Sequence, residues 1–384
     1  MEKIIALIDC DSFFVSCEQA ENPDLKHKPV CVLSNNDACI VSRSKEAKQM
    51  GIPMGIPLFM AKQDFPDVIY ISGRHEIYRN YSERVMKVIE KFCPQIQIYS
   101  IDEAFADITG LDKYFQTDYS GVAKLLQKEV KDKTDIPVSI GVSSSKTLAK
   151  YASDKSKNTD GIMVILDNYD DILKDIEISD IWGIGRNLSK KMTDLSMYTA
   201  KDITEKTDKW LSEKFGKNGV MLKYELLGKS MYPLEEEKPP QSIQDTSSLR
   251  KPTNDKNKLK SELNFHIHTA CQRLRRFGGY CSSVEVMLKT KDFKYYVLKD
   301  KLDYPTNFEL DISKVIYNLF EKIYTQDTVY RSTGIVLDDI SYTTETQLSL
   351  FENNTQESSK IAKALDKINN KYGQNSIHAG FYKK

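Results

Sequence analysis

Three carboxylates fall where a hard cation could be held. Asp102 and Glu103 interrupt the alternating run Tyr99-Ser100-Ile101-Asp102-Glu103-Ala104-Phe105-Ala106-Asp107, which Ile96, Ile98 and Ile108 flank. Alternation of this kind reads as a strand. Neighbouring strand residues point to opposite faces, so the two acids share a face only where the backbone turns between them. An unpaired charge on an apolar segment is costly, and a divalent cation would neutralise it. The competing reading is a hairpin whose tip carries exposed acids. The third carboxylate is Asp9, at the end of the apolar run Ile4-Ile5-Ala6-Leu7-Ile8, with Asp11 two residues on. Ser12 can cap a helix that begins with Phe13-Phe14. A carboxylate at the end of a buried strand, beside a helix N-terminus, suits a metal and a phosphate. Together Asp9, Asp102 and Glu103 form a cluster fit for two cations, which at about 3.5–4 Å separation activate an attacking oxygen and stabilise a leaving one.

The elements that must position these acids follow from the pattern. Pro29 to Leu33 reads as a buried strand, Ile40 to Ser42 as a shorter one, and Ser44 to Met50 as a helix stopped at Gly51. Ile77, Tyr81, Val85, Val88, Ile89 and Phe92 fall at helical spacing before Pro94. After the acidic strands come a helix over Ser120 to Lys133 and a strand over Val138 to Val142. This strand–helix–strand–strand–helix–strand order predicts an α+β sheet covered by helices on one face. Ser143 to Lys157 reads as a capped helix with Lys146, Lys150 and Lys157 on one face. That face is either merely solvated or reaches a phosphate. Trp182-Gly183-Ile184-Gly185 lies between helical segments, where backbone N–H groups at a helix start can hold a DNA phosphate.

At 384 residues the chain is long enough for two to four domains. Its 55 basic and 55 acidic residues balance, so net charge does not advertise nucleic acid. Local charge does: Arg250, Lys251, Lys256, Lys258, Lys260, Arg273, Arg275 and Arg276 crowd the segment after the linker-like Glu235 to Gln241. Seven cysteines without a C-x-x-C pair predict reduced thiols in a cytoplasmic protein. His266-x-His268 would share a face on a strand and is a weak candidate metal pair. The N-terminus does not read as a signal peptide, and no run reaches the ~20 apolar residues of a membrane span.

The motif Asp9-Cys10-Asp11-Ser12-Phe13-Phe14-Val15-Ser16-Cys17-Glu18, joined to the acidic run around Asp102-Glu103, resembles the Y-family of DNA polymerases, the translesion enzymes. Leu33 to Arg43, Leu-Ser-Asn-Asn-Asp-Ala-Cys-Ile-Val-Ser-Arg, is most similar to the UmuC-type branch, the catalytic subunits of DNA polymerase V. The resemblance runs along nearly the whole chain. It implies a multidomain α+β right-hand polymerase with five parts. These are a ferredoxin-like palm (1–19 and 76–165), small fingers (20–75), a helix–hairpin–helix thumb (166–235), a linker (236–241) and an α/β little finger (242–345). A tail (346–384) follows.

The same resemblance implies primer-template DNA and dNTP as partners and two Mg²⁺ ions as cofactor, held by Asp9, Asp102, Glu103 and the Cys10 carbonyl. It places Phe13, Phe14, Ser42, Lys45, Lys48 and Lys157 at the nucleotide, with Phe14 as a gate against the ribose 2′-hydroxyl. Two departures stand out. Many relatives carry a Tyr and an Arg where this chain has Lys45 and Lys48, and Lys157-Asn158-Thr159-Asp160-Gly161 holds an insertion. Gly183, Gly185, Arg250 and Lys251 would meet DNA. Gln347, Leu348, Leu350 and Phe351 match a Q-L-x-L-F peptide that docks on the sliding clamp, the alternative being a last strand. The helical pattern of Ile361, Leu365, Ile368 and Tyr372 marks either an intramolecular helix or the contact for a UmuD-like dimer. Fingers this short predict a roomy site that tolerates damaged templates. Two other functions fit parts of the pattern: a nucleotidyl cyclase, and a catalytically silent DNA-binding scaffold.

Overall fold

The apolar run that ends in Asp9 forms β1 (Ile5–Cys10), buried along its whole length. In this computed structural model, residues 3–236, 238–342, 354–372 and 376–377 are described. The chain divides into two units, Met1–Glu237 and Lys238–Lys384. Helix α1 (Phe13–Glu21) follows β1, but Ser12 does not cap it: Ser12 sits in the left-handed region, φ 47°, without a side-chain cap bond. Ser42 supplies the link instead. Its hydroxyl accepts from the first-turn Val15 N–H (3.4 Å) and donates to the Ser12 carbonyl (3.2 Å).

Ser42 belongs to a small sheet inserted after α1. It contains β2 (Val30–Leu33) and β3 (Ile40–Arg43), then α2 (Lys45–Gln49), α3 (Leu58–Asp64) and β4 (Ile69–Ser72), in strand order β3-β2-β4. Ser44 caps α2 by accepting from the Ala47 N–H, and Gly51 follows the helix at φ 75°, a conformation glycine adopts without strain. Cys31, Leu33, Ile40, Ala47, Ile52, Ala61 and Val68 give this sheet its own core.

The chain then returns to the main sheet through α4 (His75–Phe92), β5 (Gln95–Ile98), β6 (Glu103–Asp107), α5 (Leu111–Tyr114), α6 (Tyr119–Thr134), β7 (Val138–Ser143), α7 (Lys146–Ser156) and β8 (Ile162–Ile165). The strand order is β5-β6-β1-β7-β8, ferredoxin-like in its first four strands, with β8 added parallel to β7. Ala6, Ile8, Ala104, Ala106, Ile140 and Val142 pack with Tyr78, Val85 and Ile89 of α4 and Leu126 of α6. Ile5, Leu7 and Phe105 point the other way and pack on Ala149 of α7. Helices therefore cover both faces, not one as the element order implied. Gly141 permits this: a Cβ there would stand 2.1 Å from the Ala149 carbonyl oxygen, so only glycine lets α7 lie on β7. Helices α8 (Tyr169–Asp175), α9 (Arg186–Asp194), α10 (Ala200–Thr204) and α11 (Asp208–Leu226) share a separate apolar cluster that includes Leu173, Ile181, Met192 and Leu211.

The second unit contains β9 (Ile243–Thr253), α12 (Lys256–Arg276), β10 (Tyr280–Thr290), β11 (Tyr295–Thr306), α13 (Glu309–Ile323), β12 (Tyr330–Ser341) and α14 (Asn354–Tyr372). Its antiparallel sheet runs β11-β10-β12-β9, and α12 and α13 share its apolar core. The histidine pair lies on α12, not on a strand. Residues two apart on a helix diverge by roughly 200°. His266 Nδ1 accordingly meets Asp245, whereas His268 Nδ1 lies 3.4 Å from Glu309. They do not form one metal site. Arg275 donates to Glu309 (2.8 Å) and to Asp366 (2.7 Å), which ties α14 to α12. All seven cysteines are free thiols. Among the described residues no helix is long and apolar enough to cross a membrane.

Candidate active site

Strand register brings together what the linear pattern leaves apart. Asp9 stands opposite Glu103 in the β1–β6 ladder, so both carboxylates lie on the α7 side of the sheet. The backbone turn needed between the two acids is present. Tyr99 N and Ser100 N both donate to the Glu103 carbonyl, at 2.9 and 3.1 Å, and leave Asp102 in the turn. The Asp102 carbonyl accepts from Cys10 N (2.9 Å), and its carboxylate accepts from the Ser100 hydroxyl. Trp182 braces the turn by donating its indole N–H to the Tyr99 hydroxyl (3.1 Å).

Two lysines of the α7 segment answer the paired acids. Lys150 Nζ reaches Glu103 and lies 3.3 Å from Asp9 Oδ2, while Lys157 Nζ donates to Asp9 Oδ2 at 2.8 Å and to Asp154 at 3.0 Å. Burial and the hydrogen bond to Asp9 push the Glu103 carboxyl up to about 7, against the pull of Lys150. Burial acts on Asp9 in the same sense, but the Glu103 hydrogen bond, Lys157 and Lys150 outweigh it and hold Asp9 below the ordinary carboxylate range. Burial works against the charge on both ammoniums, and the acids overcome it, so both lysines titrate above the usual value. Two adjoining acids that need two ammoniums are a strong local demand for positive charge.

Those oxygens are the donor set a hard divalent cation takes. Among the described residues no three acidic, histidine or cysteine side chains converge as a ready-made cage. Asp9 and Glu103 converge, and the Asp102 carboxylate is engaged by Ser100 beside them. The donor types fit a divalent ion. Asp11, next along the chain, accepts from Ser139 Oγ (2.7 Å), and burial raises its pKa. Lys48 lies near it. Desolvation and Arg43 lower the pKa of Lys48, and Asp11 opposes them.

The two phenylalanines part company. Phe13 is 3% exposed and belongs to the core, so it has almost no surface to offer a nucleotide. The partly buried Phe14 stacks on Tyr78 at 4.5 Å and 17°, with His75 edge-on at 5.8 Å. Tyr78 in turn donates its hydroxyl to Glu18 (2.6 Å), and Arg74 Nε donates to the same carboxylate (3.0 Å). Glu18 is 1% exposed, so this network is a fixed backstop for the Phe14 ring. The Ser42 hydroxyl is occupied by α1, and Lys45 is exposed on the first turn of α2.

Gly183, at φ 88°, and Gly185, the N-cap of α9, form the expected turn, though a single 3₁₀ turn (Ile178–Asp180) precedes it rather than an α-helix. Arg250 and Lys251 are exposed on the edge strand β9. Gln347, Leu348, Leu350 and Phe351 lie outside the described residues.

Sequence reasoning missed Lys150 as a site residue and the Glu18–Arg74–Tyr78 backstop. The first had a signal: Lys146, Lys150 and Lys157 share a face. Lys146, however, is buried and donates to the Pro233 carbonyl (2.7 Å). The second had only an acid in an otherwise apolar helix turn.

The sequence profile of the impB/mucB/samB family matches residues 8–154, and that of the family's C-terminal domain matches residues 240–350. Protein UmuC of Salmonella typhimurium is 33% identical over 98% of this chain and 92% of its own length. A DNA polymerase IV of Ureaplasma parvum is 29% identical over 91% of this chain and 99% of its own. Among solved structures, a Dbh–Dpo4–Dbh chimera of Y-family DNA polymerases matches with a TM-score of 0.74 at 27% identity, covering 88% of this chain and all 100% of that one. An insertion ternary complex of Dbh DNA polymerase matches at 0.61 and 25% identity, with 88% and 100% covered.

These likenesses agree with the ferredoxin-like strand order and the paired acids, and the class they define is the Y-family of DNA polymerases, which are metal-dependent enzymes. Matches at both ends of the chain place the whole of it in that class. The chain belongs to the impB/mucB/samB family, in its UmuC-type branch: it is a DNA-directed DNA polymerase of translesion synthesis, with DNA and dNTPs as its partners. Neither a nucleotidyl cyclase nor a silent scaffold is favoured by these relatives.

Proposed function

We propose that Asp9, Asp102, Glu103 and the Cys10 carbonyl hold two Mg²⁺ ions, and that Lys157 and Lys48 meet the triphosphate of the incoming dNTP. The observation that carries this reading is the register match of Asp9 with Glu103 beneath two lysines. Bound ions of this kind lower the pKa of the primer 3′-hydroxyl and neutralise the charge of the leaving pyrophosphate. Lys150 and Lys157 keep the acids neutralised between turnovers. Lys157, at the exposed end of α7, has the reach to turn to a phosphate as a point charge. Lys45 is a more distal contact, and Ser42 acts through α1, whose first turn it holds. The Phe14 ring, backed by Tyr78, stands in the way of a 2′-hydroxyl.

In this reading residues 1–19 and 76–165 are the palm, 20–75 the fingers, 166–235 the thumb, 236–241 the linker and 242–345 the little finger. The turn through Gly183 and Gly185, with the first N–H groups of α9, and the side chains of Arg250 and Lys251 hold phosphates. Gln347, Leu348, Leu350 and Phe351 tether the enzyme to the sliding clamp and raise its effective concentration at the primer end. The exposed residues Ile361, Ile368 and Tyr372 of α14 supply a face for a UmuD-like dimer.

Primer extension on a defined template with Mg²⁺ tests the core of the reading. Asp102→Ala is expected to stop nucleotide addition while DNA binding persists, and near-normal extension would remove Asp102 from the mechanism. Leu350→Ala with Phe351→Ala should abolish only the clamp-stimulated part of synthesis; equal loss of basal synthesis would make the segment structural. Deleting residues 357–384 should spare basal synthesis and release the UmuD-like partner, and retained co-purification would put that contact elsewhere.

A further inference from the structure

Lys291, Asp292 and Phe293 connect β10 to β11. Phe293 N donates to the Thr290 carbonyl (3.1 Å), and Thr290 N donates to the Lys294 carbonyl (2.9 Å). Three-residue hairpins of this kind end in a left-handed residue, normally glycine. Here that position is Phe293, at φ 71°. A bulky side chain is strained in this region. Glycine would relieve the strain, so the ring is held at the tip against the preference of the backbone.

The ring is also held out of the core. Phe293 is 60% exposed and Tyr295 58% exposed. Two cations interleave with them. Lys289 Nζ lies 5.0 Å from the Phe293 centroid and 4.5 Å from that of Tyr295, its cross-strand partner. Arg331, on β12, places its guanidinium 4.1 Å from the Phe293 ring centroid. Among the described residues neither Lys289 nor Arg331 forms an ion pair with a carboxylate. Asp292, the nearby acid, is engaged by the Thr290 hydroxyl and by Lys294. The result is a row of alternating cation and ring, Arg331–Phe293–Lys289–Tyr295, on a solvent-facing hairpin.

We propose that this row is a binding site for single-stranded DNA, in which an unpaired base stacks on Phe293 or Tyr295 and the flanking phosphates meet Arg331 and Lys289. A duplex offers phosphates to the cations but keeps its base faces stacked. Exposed rings gain nothing from it. A single strand offers both base faces and phosphates, and the pairing of rings with cations matches that alternation. Stacking is indifferent to sequence, which suits a polymerase that meets every template. A protein partner is the competing occupant: it would bury the rings but make no use of two cations without acids opposite them.

The test uses the full chain and fluorescence anisotropy at fixed salt. One DNA is a primer-template with an unpaired template overhang of about ten nucleotides, and the other is the same duplex with blunt ends. Phe293→Gly removes the ring and suits the backbone, so thermal melting should show an unchanged or raised transition. Tyr295→Leu removes the second ring and keeps an apolar strand residue. The double variant is expected to bind overhang DNA about tenfold more weakly, with blunt-duplex binding within about twofold of the parent. Phe293→Tyr should restore the overhang preference. Equal loss on both DNAs would assign the tip to general phosphate contact and overturn the proposal. Unchanged binding to both would overturn it in favour of a protein occupant.

Discussion

In the first unit two carboxylates meet two lysines; in the second, two carboxylates meet one arginine. Asp9 and Glu103 lie against each other, and their ammonium partners sit on flexible stems. Glu309 and Asp366 meet through Arg275. Arg275 holds both through a planar fork that cannot turn away without losing several hydrogen bonds at once. The titration follows the geometry. Burial pushes Glu309 up, but His268 and Arg275 outweigh it and its pKa falls. Glu103 rises to about 7. One cluster meets its opposite charge through a fixed fork, while in the other two like charges adjoin and are held by ammoniums on flexible stems. Whether like charges adjoin thus separates the two clusters.

The largest expected effect comes from neutralising the cluster of adjoining acids. On the proposed two-ion reading, Glu103→Gln should cut nucleotide addition by about 10³-fold or more, measured as single-turnover extension, because a charged ligand would be lost. The same change should not destabilise the fold. The folded chain holds the Glu103 proton more tightly than the unfolded chain, so this group's contribution is full below the ordinary carboxylate pKa. It is lost as pH rises through about 7. Melting curves of Glu103→Gln and parent should therefore diverge in favour of the variant between about pH 5 and pH 8. A variant that melts lower at both ends would make the cluster stabilising and erase the contrast.

Arg275→Ala is the mirror experiment. It leaves Glu309 buried without its fork and should cost about 3–5 kcal/mol in urea unfolding of the second unit. A loss under about 1 kcal/mol would mean that the second cluster is as replaceable as a surface pair. Smaller again is Lys157→Ala, expected to raise KM for dNTP about tenfold with kcat less affected, since a phosphate contact is lost rather than a catalytic ligand. An unchanged KM would leave Lys157 as a counter-ion to Asp9 only. The smallest effect should follow Glu18→Gln, which loosens the backstop of Phe14. The ratio of ribonucleotide to deoxyribonucleotide insertion should rise about threefold without a change in dNTP kcat, about half of one kcal/mol. A constant ratio would leave Glu18 a core acid with no bearing on the sugar.

Local rules made much of this legible. An apolar strand ending in Asp9, the Ser44 cap of α2, the cap of α7 by Ser145, whose hydroxyl accepts from the Leu148 N–H, the Gly51 stop and the helix before Pro94 are decided by residues a few positions apart. Pairing across the chain is not written locally. Nothing near Asp9 says that it will face Glu103, or that Asp102 will fall in the turn and bond Ser100. The lysine face of α7 was visible, but which lysine is buried depends on Gly141 admitting the helix onto the sheet. The Ser12 cap failed because Ser42, thirty residues away, took over its partner. The histidines were misplaced because a two-residue spacing fits a strand and the surrounding charged sequence hid a helix.

Strand β1 is the first regular element of the chain and the middle strand of its sheet, paired with β6 on one side and β7 on the other. That order has a consequence for synthesis. At ~5–20 residues per second, β1 leaves the ribosome roughly 7–27 s before β7 is available to it. For most of that interval, until β6 is made, the apolar strand has neither neighbour and is open to wrong pairing. The inserted three-stranded sheet has its own core and can close in the meantime, whereas Asp9 and Glu103 cannot meet until β6 has arrived, and their lysines follow only with α7. The acid pair is therefore assembled well after its first member is made, and a nascent fragment that stops short of β6 holds Asp9 without its partner.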